Sequence, residues 1–294
     1  MNQIEMAKYN NKKLHILVST IEQLRVVSSM EHKPSRIYVD YHMCIGELPL
    51  IVKEISAYID IYISLPYMLR GERNLKGTDE IKDIWLKSKT FIKGFLVRNM
   101  EELAFLTLNE DGFFDGTVVC DYGIYMWNHI SAKVIFDNTI ASEGCIPYEL
   151  NRHEIGEFMS MADGVFSACV YGYIPMMISA DCIKKTFDNC LGKMGSNLVS
   201  FDNITDRKNN NMKVLTDCRQ CLNIIYNSVP LSLHKQIDSL SKENNIFAFR
   251  VDLTIENSKD SENILSFWED VFDNKAYDVP YKDYTTGHYK RGTE

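Results

Sequence analysis

Short apolar runs alternate with amphipathic segments along most of the chain, and this alternation predicts parallel strands joined by crossover helices. The predicted strands are 14–18, 36–40, 61–65, 95–97, 117–120, 134–136, 165–171 and 247–255. Eight strands separated mostly by helices predict a (β/α)8 barrel of the TIM type, in which ligands bind at the carboxyl ends of the strands.

Three predicted helices begin with a polar residue that is followed, three positions later, by Glu or Gln. These pairs are Thr20 with Gln23, Asn99 with Glu102, and Asn151 with Glu154. In such a pair the first side chain binds a free backbone N–H of the first turn, and the second reaches back to the cap. We therefore expect helices to begin at all three places.

Residues 181–229 break the alternation, and we interpret them as a cysteine-bearing insertion before the last strand of a single barrel domain that spans residues 1–294. The run 170–182 before it, VYGYIPMMISADC, predicts a buried strand broken at Gly172 and Pro175. Cys182 would then stand at the end of a barrel strand.

Four thiols in this region follow the spacing C-x7-C-x27-C-x2-C: Cys182, Cys190, Cys218 and Cys221. Thiolates are the ligands of structural zinc sites and of iron–sulfur clusters, and this spacing fits either. The other cysteines, Cys44, Cys120, Cys145 and Cys169, are scattered, and we expect them to be small buried residues.

Composition excludes some classes of protein. The net charge of −8 over 294 residues argues against a protein that wraps duplex DNA. The chain has no run of eighteen apolar residues and its first residues are polar, so we expect no membrane span, no secretory signal and a cytoplasmic location. Neither a hydrolase motif of the GxSxG or HExxH type nor a phosphate-binding glycine loop occurs.

Several stretches resemble the peptidase U32 family, the collagenase-like peptidases, and its clostridial-type members in particular. They are the run 170–182, IPYELN at 146–151, CRQCLNIIYNSVPLSL at 218–233 and GHYKRGTE at 287–294, with looser similarity in LPYMLR at 65–70, GFLVRN at 94–99 and DYGIYMWN at 121–128. One difference is Ser167, which lies in a stretch where relatives carry a Glu.

The resemblance implies a 4Fe-4S cluster on the four cysteines, with zinc as the alternative, and oxygen-independent hydroxylation of an RNA base or a small aromatic ring. It also leaves open a U32-type peptidase acting on protein substrates. A third hypothesis is a non-catalytic, metal-stabilised subunit whose protein partner supplies the N-terminal domain of larger relatives.

Polar residues near the predicted strand ends are candidates for a substrate pocket, because side chains converge there on a barrel mouth. They are Arg70, Arg98, Asp121, Asn128 and Glu149, with Tyr171 of the run 170–182 as a further candidate. His288 and Arg291 join them through the resemblance alone. The lysines of the insertion and residues 289–291 favour a solvated basic loop, and contact with RNA is the alternative interpretation.

Overall fold

The computed structural model of the chain describes residues 8–9, 12–45, 47–69, 74–187, 190, 199–218 and 221–292. Its strands are β1 (Lys8–Tyr9), β2 (Lys12–Val18), β3 (Arg36–Asp40), β4 (Asp60–Ser64), β5 (Gly94–Val97), β6 (Thr117–Cys120), β7 (Ala141–Cys145), β8 (Phe166–Gly172), β9 (Pro175–Ser179), β10 (Val199–Thr205), β11 (Asn211–Asp217), β12 (Leu222–Tyr226), β13 (Leu231–Ser232) and β14 (Ile246–Leu253). Its α-helices are α1 (Ile21–Ser29), α2 (Leu50–Ile55), α3 (Asn74–Ser88), α4 (Met100–Leu108), α5 (His129–Asn138), α6 (Arg152–Met161), α7 (Ile183–Phe187), α8 (Ile237–Leu240) and α9 (Ser258–Phe272).

Eight parallel strands form a closed barrel. Strands β2 to β8 pair in chain order, and β14 lies between β8 and β2, so no edge is left open. Helices follow most of the strands and pack on the outside, as in α9, which buries Trp268 and Phe272. The predicted (β/α)8 fold is therefore confirmed.

The middle of the barrel interior is apolar. Leu17, Tyr38, Tyr62, Leu96 and Val119, one from each of five strands, form a buried cluster. Large side chains from neighbouring strands fill a barrel of this size, so the interior is a packed core and not a pore. The polar chemistry of the interior lies above and below this layer.

The three predicted helix starts are confirmed. Thr20 with Gln23 and Asn151 with Glu154 each form a capping box. The Asn99 side chain accepts a hydrogen bond from the backbone N–H of Glu102.

The prediction of a sixth barrel strand at 134–136 is wrong. Those residues belong to α5, and the sixth barrel strand is β7. Asn128 and Ser131 form a capping box that begins α5. The sequence of β7, ASEGC, has little apolar pattern because Glu143 makes a partly buried two-bond ion pair with Arg36 and Gly144 leaves room for Phe166.

The run 170–182 forms two strands that belong to different sheets. The chain leaves β8 at Gly172, whose φ of +154° is a conformation that favours glycine, and enters β9 at Pro175. Strand β9 pairs with β12 in a small antiparallel sheet of order β10-β11-β12-β9. Cys182 thus follows a strand of this small sheet, and the expectation that it ends a barrel strand is wrong.

The small sheet packs on the barrel mouth. Leu215, Ile224 and Tyr226 form its buried side and contact Tyr67 of the barrel. An ion pair between His42 Nε2, after β3, and Asp217 Oδ2, at the end of β11, spans 3.5 Å. The sheet is therefore held over the carboxyl ends of the barrel strands. Of the helices that the structure describes, none combines the length and apolar character that a membrane span needs.

Glu102 gives a prediction for stability. Its buried carboxylate accepts a hydrogen bond from the backbone N–H of Arg98 at 2.9 Å, and burial raises its pKa from 4.5 to about 8. Because the folded-state pKa is the higher one, the protonated form stabilises the fold, and this contribution is lost as the pH rises from 4.5 to about 8. Each unit of such a shift corresponds to about 1.4 kcal/mol.

We expect Glu102→Gln, which carries no charge, to lose less free energy of unfolding than the wild type between pH 5 and pH 8. Urea unfolding at both pH values measures this difference. The exposed neighbour variant Glu101→Gln should keep the wild-type loss, and an equal loss in Glu102→Gln would contradict the prediction.

Candidate functional site

A buried network of charged residues closes the barrel at its mouth. Arg250 of β14 is fully buried and donates hydrogen bonds to Asp121 at 2.8 Å and to Asp252 at 2.7 and 2.9 Å. Arg98, which follows β5, lies 3.3 Å from Asp121 and 3.9 Å from Asp40. Burial of a charge is costly unless it is paired, so these contacts fix both guanidinium groups in place.

Four tyrosines stand above this network. The hydroxyls of Tyr67 and Tyr122 are 2.6 Å apart, and the rings of Tyr122 and Tyr148 have centroids 4.1 Å apart. The guanidinium of Arg98 lies 4.1 Å from the ring centroid of Tyr67. Burial raises the pKa of Tyr67 to about 12 and that of Tyr122 further, so both phenols are neutral at physiological pH. Tyr125 is exposed and has a φ of +55°, an uncommon conformation for a residue with a side chain.

These tyrosines line a cavity of about 640 Å³ between the barrel and the small sheet. Its walls also include Pro175, Met176 and Ile178 of the small sheet, Ile174 just before that sheet, and Thr285, Gly287 and His288 of the C-terminal segment. The rest of the described lining is Arg98, Asn99, Gly123, Glu149 and Asn227. A mostly pre-formed cavity of this size, apolar and aromatic with a few polar groups, is typical of small-molecule sites.

The candidate residues fall in several places. Arg98, Glu149 and His288 line the cavity, and Asp121 lies beneath it. Arg70 lies outside the described residues.

The remaining candidates are not in the lining that the structure describes. Asn128 caps α5, and Tyr171 is buried and donates a hydrogen bond to Glu256 at 2.9 Å. Arg291 lines a separate open groove of about 740 Å³ together with Arg152, Lys242 and Lys290. Capping and core packing explain the first two positions without a ligand.

The residues that sequence reasoning missed are the tyrosines and Arg250. Tyr67 lies within LPYMLR, Tyr122 within DYGIYMWN and Tyr148 within IPYELN. Only the charged and amide residues of these stretches were chosen as pocket candidates. The available signal for Tyr67 and Tyr122 was their position, because each is the second residue after a predicted strand. Arg250 reads as an ordinary strand residue, and only the barrel closure brings it to Asp121.

The four clustered cysteines lie at one end of the small sheet. Cys182 follows β9, Cys218 follows β11, and Cys221 precedes β12. Burial raises the pKa of Cys218, Lys184 opposes the rise, and the thiols of Cys182 and Cys190 are near enough to add to it. The donor set suits zinc or an iron–sulfur cluster. Among the described residues, however, no three His, Cys, Asp or Glu side chains converge as a metal site would require.

The scattered cysteines are all buried, as predicted. Cys145 and Cys169 lie inside the barrel beside Tyr122, and burial raises the pKa of Cys145 to about 11 and that of Cys169 further. Ser167 is buried next to them, with its hydroxyl 3.4 Å from the carbonyl oxygen of Gly144. Thiols held in the neutral form are poor nucleophiles, so these two do not suit covalent catalysis.

Comparison with known proteins gives fold-level likeness only. No protein-family model matches the chain, and no curated protein matches it. Among solved structures, a U32 peptidase is similar with a TM-score of 0.48 and 11% identity, over 87% of this chain and 98% of that one. An aldolase from Escherichia coli K12 has a TM-score of 0.38 and 13% identity over 54% and 66% of the two chains. Tryptophan synthase from M. tuberculosis has a TM-score of 0.35 and 11% identity over 55% and 75%. Likeness at this level does not assign the chain to a family.

The charged network yields a second prediction. We expect Asp121→Asn to lower the free energy of unfolding by about 3 kcal/mol, because Arg98 and Arg250 would each lose a buried counter-charge. Urea unfolding at pH 7 measures the change. The control is Asp137→Asn, which removes an exposed ion pair with Lys133 and should change stability little. Equal losses in the two variants would show that the network does not hold the mouth together.

Proposed function

We propose that this chain is a peptidase U32-type barrel enzyme with a 4Fe-4S cluster on Cys182, Cys190, Cys218 and Cys221. It modifies an aromatic ring or an RNA base, most simply by oxygen-independent hydroxylation, in the cavity at the barrel mouth. The similarity of the stretches named above to that family supports the proposal. A zinc ion on the same thiols is the alternative occupant.

One observation carries the proposal: a single strand serves both the cavity and the cysteines. Residues Pro175, Met176 and Ile178 of β9 line the cavity, and Cys182 follows the same strand. Four residues from Ile178 to Cys182 span at most about 14 Å of extended chain. A metal centre that includes Cys182 would therefore stand within about 14 Å of Ile178 in the cavity wall.

The residues of the chain have separate parts in this proposal. A bound cluster supplies one-electron chemistry, and hydrogen bonds and burial around its sulfur atoms tune its potential. Tyr122, Tyr125 and Tyr148 offer aromatic surface for an aromatic ring. The small sheet covers the barrel mouth and limits the access of water to the ring. We include a cytoplasmic location in this proposal. Thiols are kept reduced in that compartment, as ligation of a cluster requires.

The open groove beside α6 supports an RNA partner. Arg152, Lys242, Lys290 and Arg291 line it and could contact phosphates. Tyr289 does not offer stacking surface there, because its ring is buried in the core. Glu157 and Glu243 also line the groove and offset part of its positive charge, so the groove supports contact with phosphates less strongly than the four cations alone would.

Peptidase activity has less support. The two thiols inside the barrel have raised pKa values, and the Cys169 thiol contacts the carbonyl oxygen of Tyr171 at 3.4 Å. A nucleophilic thiol needs a lowered pKa and an adjacent base.

Metal and acid-labile sulfide analysis of protein purified without oxygen tests the proposal. We expect about four iron and four sulfide per chain, with broad absorption near ~400 nm from thiolate-ligated iron. Cys218→Ser should lose most of the iron and the absorption. Cys120→Ala, which removes a buried thiol outside the four, should retain both. Stoichiometric zinc, or no metal in either protein, would refute the iron–sulfur proposal.

A further inference from the structure

The positive charge at the floor of the mouth cavity is already neutralised. The two guanidinium groups, Arg98 and Arg250, face three carboxylates, those of Asp40, Asp121 and Asp252. Arg98 also has one face against Tyr67. Three carboxylates against two guanidinium groups give the described floor a formal excess of one negative charge, although Nη1 of Arg250 has no hydrogen-bond partner among the described residues. This excess makes the floor unfavourable for an anionic ligand at short range.

Glu149 adds a carboxylate to the wall of the same cavity. Its Oε2 atom is buried and has no hydrogen-bond partner among the described residues. Burial raises the pKa of the Glu149 carboxyl, and the nearby His288 opposes that rise. Nδ1 of His288 lies 2.7 Å from the carbonyl oxygen of Gly292. A buried carboxylate oxygen without a partner is costly, and a ligand that donates an N–H would satisfy it.

The aromatic walls suit the same kind of ligand. Tyr122, Tyr125 and Tyr148 line the cavity with Glu149, and Tyr125 is 55% exposed, so its ring is available to a ligand. Tyrosine rings attract cations through their faces and stack or meet edge-on with other rings. Met176 and Ile178 provide the apolar remainder.

We propose that the mouth cavity binds an aromatic amine, with the ring among the tyrosines and the ammonium group on the carboxylate of Glu149. This inference rests on the proposed use of the cavity as the substrate site, and it narrows the substrate class from aromatic rings in general to rings that carry a positively charged nitrogen. The formal negative charge of the cavity floor disfavours aromatic carboxylates and phosphates there, so of the two substrates in the proposed function it favours a small aromatic ring over an RNA base.

Calorimetric titration of the full chain with three ligands of similar size tests the inference. Tyramine carries a phenol and an ammonium group, 4-ethylphenol has the same ring without a charge, and 4-hydroxyphenylacetate carries a carboxylate. We expect tyramine to bind at least about tenfold more tightly than 4-ethylphenol, as a charge-assisted hydrogen bond allows, and 4-hydroxyphenylacetate to bind most weakly.

Variants locate the contacts. Glu149→Gln should weaken tyramine binding by about tenfold or more and leave 4-ethylphenol unchanged. Tyr125→Leu should lower the affinity for every ligand that binds, because it removes the aromatic ring. Tyr125→Phe, which keeps the ring, should retain the wild-type affinity. Glu157→Gln removes a carboxylate of α6 that is not among the described lining of this cavity and serves as the matched control, with no expected change.

Three results would overturn the inference: equal affinity for tyramine and 4-ethylphenol, tighter binding of 4-hydroxyphenylacetate, or no binding of tyramine at millimolar concentration. The proposed function fails separately. If the protein prefers tyramine but contains no iron, only the proposed cluster is refuted. If the protein contains the cluster but does not prefer tyramine, only the proposed ligand class is refuted.

Discussion

The contact between Arg250 and Asp121 is the one on which the barrel mouth depends. It joins the last barrel strand to the loop after β6 across the interior, and both side chains are fully buried. Asp121 also binds Arg98, which in turn lies against Tyr67, whose hydroxyl bonds to that of Tyr122. The positions of the cavity rings therefore follow from one ion pair. Such pairs contribute little net stability, but they tolerate few alternative arrangements.

The small sheet gives this barrel its second wall. In a (β/α)8 fold, loops after the strands usually build the site. Here the connection between β8 and β14 forms strands β9 to β12, which pair with one another and place β9 along the cavity. A paired sheet holds its side chains more rigidly than a loop of the same length, because its backbone hydrogen bonds are satisfied internally. The cavity is thus bounded by two sheets and is largely pre-formed.

Local signals in the sequence predicted the barrel well because each strand and cap depends on neighbouring residues. The pairs Asn151 with Glu154 and Thr20 with Gln23 act within one helical turn, and both were found. Strand β7 was missed because its residues depend on partners far away in the sequence. Glu143 pairs with Arg36, and Gly144 packs against Phe166. The role of Arg250 was likewise hidden, since Asp121 is 129 positions away. The cysteines were identified by spacing, yet the two-sheet division of the run 170–182 depends on pairing with β12, which no local pattern encodes.

The position of β14 has a consequence for biosynthesis. This strand pairs with β2 on one side and β8 on the other, so β2 lacks one of its barrel neighbours until β14 has been synthesised. Until then β2 and β8 each have an open edge, and Asp121 lacks its contact with Arg250. Contacts of such long sequence separation form slowly, and exposed edges favour aggregation. Insertion of β14 therefore removes the two barrel edges at which aggregation could begin.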